Sequence, residues 1–249
     1  MKEQLQKDFE NIIRNLNLSQ KDIEIKKFCL SNFMDKGFPN RKEEDWKFSD
    51  INQIIKKNIG KLSFYSDYTS TNKVDTTVFV DGLEHNKIVF INGRIEKIDF
   101  DYEKKNQIEI IDQSVTINKF NNNNSLSDLN NAFNNKSFKI LVKKGYQLVK
   151  PLIIYHTTNS KIWSKNINLR LDFELDKDSS LRVIDLFNDT SEKNFLNIFY
   201  NFDLKKNAVL KNYKVDKFEN KNIKYSFNNI EQDKNSISET FILSSGSNF

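Results

Sequence analysis

Apolar residues near the N-terminus recur at helical spacing, and the pattern switches to alternation near Ser63. Phe9, Ile12, Ile13 and Leu16 stand three or four apart, which predicts a helix from Glu3 to Asn17. Ser19 followed by Asp22 is a capping arrangement for a second helix that runs to Lys36. Its expected apolar face is Ile25, Phe28, Cys29 and Phe33. Gly37 suits the end of that helix, and Pro39 prevents its continuation. Trp46 and Phe48 are two apart, so an extended backbone is expected to put both rings on one face. Ser49 or Asp50 caps a third, short helix with Ile51, Ile54, Ile55 and Ile59 on its face, closed by Gly60.

Beyond Ser63 the period is two. Thr77 to Val80 is an expected strand. Ile88 to Ile91 and Arg94 to Ile98 flank Asn92-Gly93, a strong hairpin signal. Ile108 to Ile111 is a further candidate strand, and Asn121 to Asn124 is a polar break. Ser125 is expected to cap a helical turn through Leu126, Leu129 and Phe133. From Phe138 a strand, a short polar turn and a second strand repeat, with turns at Lys144-Gly145, Lys177-Asp178, Lys206-Asn207 and Lys234-Asn235. A fixed period of about 30 residues with period-two alternation indicates a β-solenoid. Ile167, Leu169, Leu171, Phe173 and Leu175 form one inward row, with Arg170 and Asp172 outward. Leu196, Ile198, Tyr200, Phe202 and Leu204 form the next, while Leu181 and Val183, then Leu210 and Val215, supply the returning strands.

The expected fold is mainly β: a right-handed parallel β-helix preceded by an N-terminal α-helical cap and a small α+β linking region. The segments are 1–62 for the cap, 63–137 for the linking region with its hairpin, and 138–249 for the β-helix core. An immunoglobulin-like sandwich is the rival, disfavoured by the repeated lysine-plus-turn residue.

Composition adds limits. The 249 residues are 37% hydrophobic, with 21 Phe and 8 Tyr to build a core. The net charge is +5, but the basic pairs are scattered and no aromatic-interleaved basic patch occurs, so no nucleic-acid partner is expected. No apolar run reaches the roughly 18 residues of a membrane span, and the N-terminus lacks a signal-peptide core; a cytoplasmic location is the default. Cys29 is the single cysteine, which leaves no disulfide and no thiolate set for a metal or cluster, and it reads as a buried structural thiol. His85 and His156 stand apart from any ligand or catalytic pattern. Glu43, Glu44 and Asp45 read as a solvated face or as partners for Arg41 and Lys42. No catalytic, cofactor-binding or metal residue is assigned, and no carboxylate ladder of a carbohydrate-active β-helix is visible.

Four stretches resemble one family. Gly37, Pro39, Arg41, Glu44, Asp45, Trp46 and Lys47 match the G-L-P-T-R-R-x-E-D-W-[RK]-Y-T motif of SufD proteins, of the SufB/SufD family in the SUF iron–sulfur cluster assembly system. Val89-Phe90-Ile91-Asn92-Gly93-Arg94 resembles that family's V-F-V-N-G-R, and Leu129-Asn130-Asn131-Ala132-Phe133 its L-N-T-A-[LF]. Ile140, Val142, Lys144, Gly145, Leu148, Lys150 and Pro151 line up with V-x-I-x-V-P-K-G-V-x-L-x-K-P, Lys143 replacing the usual proline. The resemblance implies a non-catalytic scaffold that pairs with SufB through the β-helix and with the SufC ATPase through C-terminal helices. An iron–sulfur cluster would be held transiently by the full complex and not by this chain alone. Thr240 to Gly246 reads as a strand without a polar cap after it, so a C-terminally truncated member is expected, one that self-associates and fails to bind SufC alone. A solenoid binding module or a carbohydrate-active β-helix unrelated to SUF is the alternative.

Overall fold

The computed structural model describes residues 2–16, 18–64, 79–113, 124–158, 162–189, 193–218 and 222–246. Helix α1 spans Lys2–Asn15, α2 Gln20–Lys36 and α3 Ile51–Asn58. The caps follow the sequence. Ser19 Oγ accepts from the Asp22 N–H, and Asp50 does the same for Gln53. Gly37 takes φ 73° and gives its N–H to the Phe33 carbonyl at 2.7 Å.

The junction between α2 and α3 departs from expectation. Glu44–Trp46 form a 3₁₀ turn, so Trp46 and Phe48 do not share a face. Phe48 is exposed, while Trp46 packs on Tyr225 with ring centroids 5.6 Å apart. On α2, Phe28 is also exposed; the inward row is Asp22, Lys26, Cys29, Leu30 and Phe33. Lys26 takes the place that an apolar residue was expected to hold, because its ammonium has a specific partner described below.

Strands β1 (Asn86–Ile91) and β2 (Arg94–Asp99) form the expected hairpin; Asn92 at φ 52° and Gly93 at φ 78° supply the two positive φ values of a type I′ turn. β3 (Ile108–Gln113) follows, then α4 (Ser125–Phe133), whose N-cap is Asn124 and not Ser125. The expected strand at 77–80 lies outside the described residues at 77 and 78; Phe79 and Val80 are not in a strand. The polar break at 121–123 also lies outside them.

The remaining strands are β4 (Ser137–Val142), β5 (Leu152–Thr158), β6 (Asn166–Leu175), β7 (Ser180–Asp189), β8 (Phe195–Leu204), β9 (Val209–Phe218), β10 (Ile223–Gln232) and β11 (Ile237–Gly246). They alternate between two sheets, in the orders β11-β9-β7-β5-β1-β2 and β10-β8-β6-β4-β3. Every pairing from β4 onward is parallel, which is the wall of a β-solenoid. β1 also pairs in parallel with β5, so the hairpin extends the solenoid wall, while β2 and β3 close its edges in antiparallel fashion. The turns repeat as the sequence suggested: Gly145, Asp178, Asn207 and Asn235 all take φ between 61° and 69°. Adjacent turns are laced together, Asn207 Nδ2 donating to Asp178 Oδ1 at 2.7 Å and Asn235 Nδ2 to Asn207 Oδ1 at 3.3 Å.

The core has two main parts. One fills the lumen with Ile88, Ile140, Ile154, Leu169, Leu171, Phe173, Ile198 and Phe202. The other lies between the helices and the outer face of the five-stranded sheet, joining Phe9, Phe33, Phe38, Leu129 and Phe133 to Phe195 and Phe199. That second layer explains why β8 reads as nearly continuous apolar sequence: both faces of its first half are buried. It also corrects the expected exposure of Arg170. Leu171 is inward and fully buried as expected, yet Arg170 is only 6% exposed, because α4 lies over it and Asn131 Oδ1 accepts from its guanidinium at 3.2 Å. β9 carries Leu210 and Val215 as expected of a returning strand; its inward residues are Leu210, Asn212, Lys214 and Asp216, and Val215 is half-buried on the other face.

A candidate site in the solenoid lumen

The lumen changes character along its axis. At the first coils the inward positions are Ile88 and Phe90 on β1 and Leu152 and Ile154 on β5. On β5 the same row continues in His156 and Thr158; on β7 it contains Asp185; on β9 it includes Asn212, Lys214 and Asp216. On the opposite wall Lys224, Ser226 and Asn228 of β10 follow Leu196, Ile198 and Tyr200 of β8 in register. Parallel stacking therefore turns residues scattered over sequence into one continuous polar chain.

Its centre is Asp185. Tyr200 donates its hydroxyl proton to Asp185 Oδ2 and lies 3.0 Å from His156 Nε2, which is itself 3.5 Å from the same carboxylate oxygen. Lys224 Nζ donates to Asp185 Oδ1 at 3.1 Å and to Asp216 Oδ1 at 2.6 Å. Burial alone would raise the Asp185 carboxyl; the Lys224 ammonium overcomes this, with His156 and Lys214 adding to it, and holds the group well below the usual carboxylate range. Burial works against the Lys224 charge too, but Asp185 and Asp216 hold its affinity for the proton above the ordinary lysine value. Lys214 is treated differently. Its Nζ sits 3.7 Å from the centre of the Tyr200 ring and donates to Ser226 Oγ. Burial, with repulsion from Lys224 and despite attraction from Asp185, brings it down to about 8.

Neither histidine was assigned a role from sequence, and the structure separates them. His85 is held between the Leu83 carbonyl, 2.6 Å from Nδ1, and the Tyr155 hydroxyl, 2.8 Å from Nε2. His156 lies in the lumen chain, stacked on Phe90 at 5.4 Å. Cys29 is buried, and burial first, with Asp128 second, pushes its thiol up to about 11, an inert state. In the acidic run, Glu43, Glu44 and Asp45 are exposed, the solvated face that was one of the two readings, and Glu44 pairs with Lys47 at 2.9 Å rather than with Arg41 or Lys42. The signal missed in the sequence was polarity within an alternating strand: Asn212, Lys214 and Asp216 alternate just as a core row does, but with the wrong chemistry for one.

A carboxylate ladder, not recognised in the sequence, also exists. Glu174, Asp203 and Glu231 share one register position on β6, β8 and β10, and line an open groove with Asp172, Lys139 and Arg170. Lys139 pairs with Glu174 and Lys205 with Asp203, which offsets the like-charge contacts of stacked strands. Among the described residues no cluster of His, Cys, Asp and Glu is arranged to hold a metal ion. No described helix is long and apolar enough to cross a membrane.

The fold and its lumen define the class: a parallel β-solenoid with a helical layer along one sheet and a charged interior. No family model matches the chain, and no curated protein matches it.

Proposed function

We propose that the chain is a SufD-like, non-catalytic scaffold subunit of cytoplasmic SUF iron–sulfur cluster assembly. It pairs with a SufB-type partner and, in the full complex, with a SufC-type ATPase; the nascent cluster is the cargo of that complex. One observation carries the reading. The stretches that resemble SufD proteins all fall at seams of a helix-capped solenoid of the kind that family implies. Trp46 of the first meets Tyr225 on β10. Asn92-Gly93 of the second is the hairpin turn. Asn130 of the third bonds from α4 to the Leu169 and Asn197 carbonyls of β6 and β8, at 3.1 Å and 2.7 Å. Lys144-Gly145 of the fourth is the first solenoid turn, with the Gly145 N–H on the Lys177 carbonyl at 2.8 Å. Co-expression with the SufB-type protein of the same genome tests the proposal. Co-elution through size exclusion is expected; a chain that elutes apart from it overturns the reading.

The stacked carboxylates give the carbohydrate-active alternative one supporting feature. Glu231 has no ion-pair partner among the described residues and stands beside Asp203 in the ladder. Glycosidic-bond cleavage that is lost in Asp203→Asn and Glu231→Gln would favour that class.

A further inference from the structure

The turns along one edge of the solenoid share a residue that their geometry does not require. Five turns have the same form, at 104–107, 143–146, 176–179, 205–208 and 233–236. In each, the carbonyl of the first residue accepts from the N–H of the fourth at 2.9–3.2 Å, and the third takes φ between 61° and 69°. The third position needs a residue that tolerates positive φ, and it holds Asn106, Gly145, Asp178, Asn207 and Asn235. The second position accepts nearly any residue, yet it is lysine each time: Lys105, Lys144, Lys177, Lys206 and Lys234. All five lysines are exposed, and none has an ion-pair partner among the described residues. Lys143 and Lys205, one position earlier, are by contrast paired with Glu109 at 3.1 Å and Asp203 at 2.6 Å. The N–H groups of Gly145, Asp178 and Asn207 donate to the carbonyls of Lys177, Lys206 and Lys234, so these turns stack in register. The turn at 104–107, its chain running the other way, joins the row where the Gln107 carbonyl accepts from Lys143 N–H. The fold thus gathers on one edge basic pairs that lie far apart in sequence: Lys104-Lys105, Lys143-Lys144 and Lys205-Lys206. Eight lysines and three aspartates in the five turns leave that edge basic.

We propose that this lysine row is a docking surface for an acidic α-helix of a partner protein, which lies along the solenoid axis with one carboxylate per coil. Like charges stacked on neighbouring strands work against folding, and carboxylates at the same interval remove that repulsion. Coils repeat about every 4.8 Å, and a helix rises about 5.4 Å per turn. Acidic residues at every third or fourth position therefore keep step with the lysines. The difference accumulates to about 2.4 Å over four steps, within reach of a flexible lysine side chain. An extended acidic strand presents one face only every 6.6 Å or so, and falls out of step. Single-stranded nucleic acid is bound where bases stack on aromatic side chains, and the one aromatic residue of the five turns, Tyr146, is packed against the core. Lys144, Lys177 and Lys206 each have a neighbouring turn on both sides, so the middle of the row does not depend on the last coil. The row is independent of the assembly reading, and a failed co-elution leaves it standing.

The test uses the whole chain and a labelled, alanine-rich helical peptide with glutamates on one face, at every third or fourth position. A control peptide has the same composition with the glutamates spread around the helix. Saturable, salt-sensitive binding of the one-faced peptide is expected, about tenfold tighter than that of the control. Combining Lys144→Gln, Lys177→Gln and Lys206→Gln should weaken it about tenfold. Because these side chains are exposed and repel one another, the variant should unfold at the same midpoint as the natural chain or a higher one. Five results overturn the proposal: no saturable binding, equal binding of the two peptides, equal binding by the variant, a lowered midpoint in the variant, or tighter binding to oligodeoxythymidylate or to phosphatidylserine vesicles than to the one-faced peptide.

Discussion

Lys224 Nζ lies 3.1 Å from Asp185 Oδ1, although 39 positions separate the two residues. The contact spans two walls of the solenoid and is almost without solvent access, with both side chains 1% exposed. Removing one partner leaves an uncompensated buried charge, at a cost of about 3–5 kcal/mol. Lys224→Met is therefore expected to lower the urea midpoint strongly. Replacing Asp216 by Asn together with Lys224→Met leaves Asp185 to balance Lys214 and should recover most of that loss. Equilibrium unfolding of the single and double variants measures both.

Asp185 also sets the acid limit. Its carboxyl is held below the ordinary range, so its stabilisation is fully present above an unfolded value of about 3.9 and is lost as pH falls below that. Unfolding free energy measured against pH should drop steeply below about pH 4, and the drop should be shallower in Asp185→Asn.

Lys26 makes the opposite alkaline prediction. Its Nζ donates to the carbonyls of Asn131, Ala132 and Asn134 and to Asn134 Oδ1, at 3.1, 3.4, 2.7 and 2.9 Å. It thereby closes the C-terminal end of α4, where a cation is favourable. Burial nevertheless brings it down to about 7. The unfolded chain takes up this proton first as pH falls from about 10.4, so the Lys26 contribution to stability rises with pH between about 7 and 10. Lys26→Met should flatten that rise, and by leaving carbonyls unpaired should cost about 1–3 kcal/mol at pH 7. Chemical denaturation of both proteins across that range is the measurement.

Gly93→Ala should be more damaging than its size suggests. A Cβ there would come within 2.8 Å of Ile167 Cγ2, at a backbone φ of 78°. Strain at positive φ and the forced shift of Ile167 together should cost about 2–4 kcal/mol. A fall in thermal midpoint with the far-ultraviolet spectrum unchanged is expected.

The solenoid was legible because its signals are local. Alternation through Leu169, Leu171 and Phe173 fixes the inward row, and the turn residues Asp178, Asn207 and Asn235 are types that tolerate positive φ. What was not legible depends on partners distant in sequence. Arg170 looks like a surface residue until α4 covers it, and Lys26 looks like a solvated lysine until α4 offers it four oxygens. The lumen cluster needs the register of four coils before His156, Asp185, Lys214 and Lys224 meet, and no spacing within a single strand announces it.

Asn130 touches the carbonyls of Leu169 and Asn197, which belong to consecutive coils. A helix fastened in this way works as a gauge: its one amide spans a single coil step. Shortening or lengthening the repeat between β6 and β8 would pull one carbonyl out of reach, whereas coils added elsewhere along the axis leave the fastening intact. Evolutionary growth and shrinkage of this solenoid are thus confined to the parts that the helical layer does not measure.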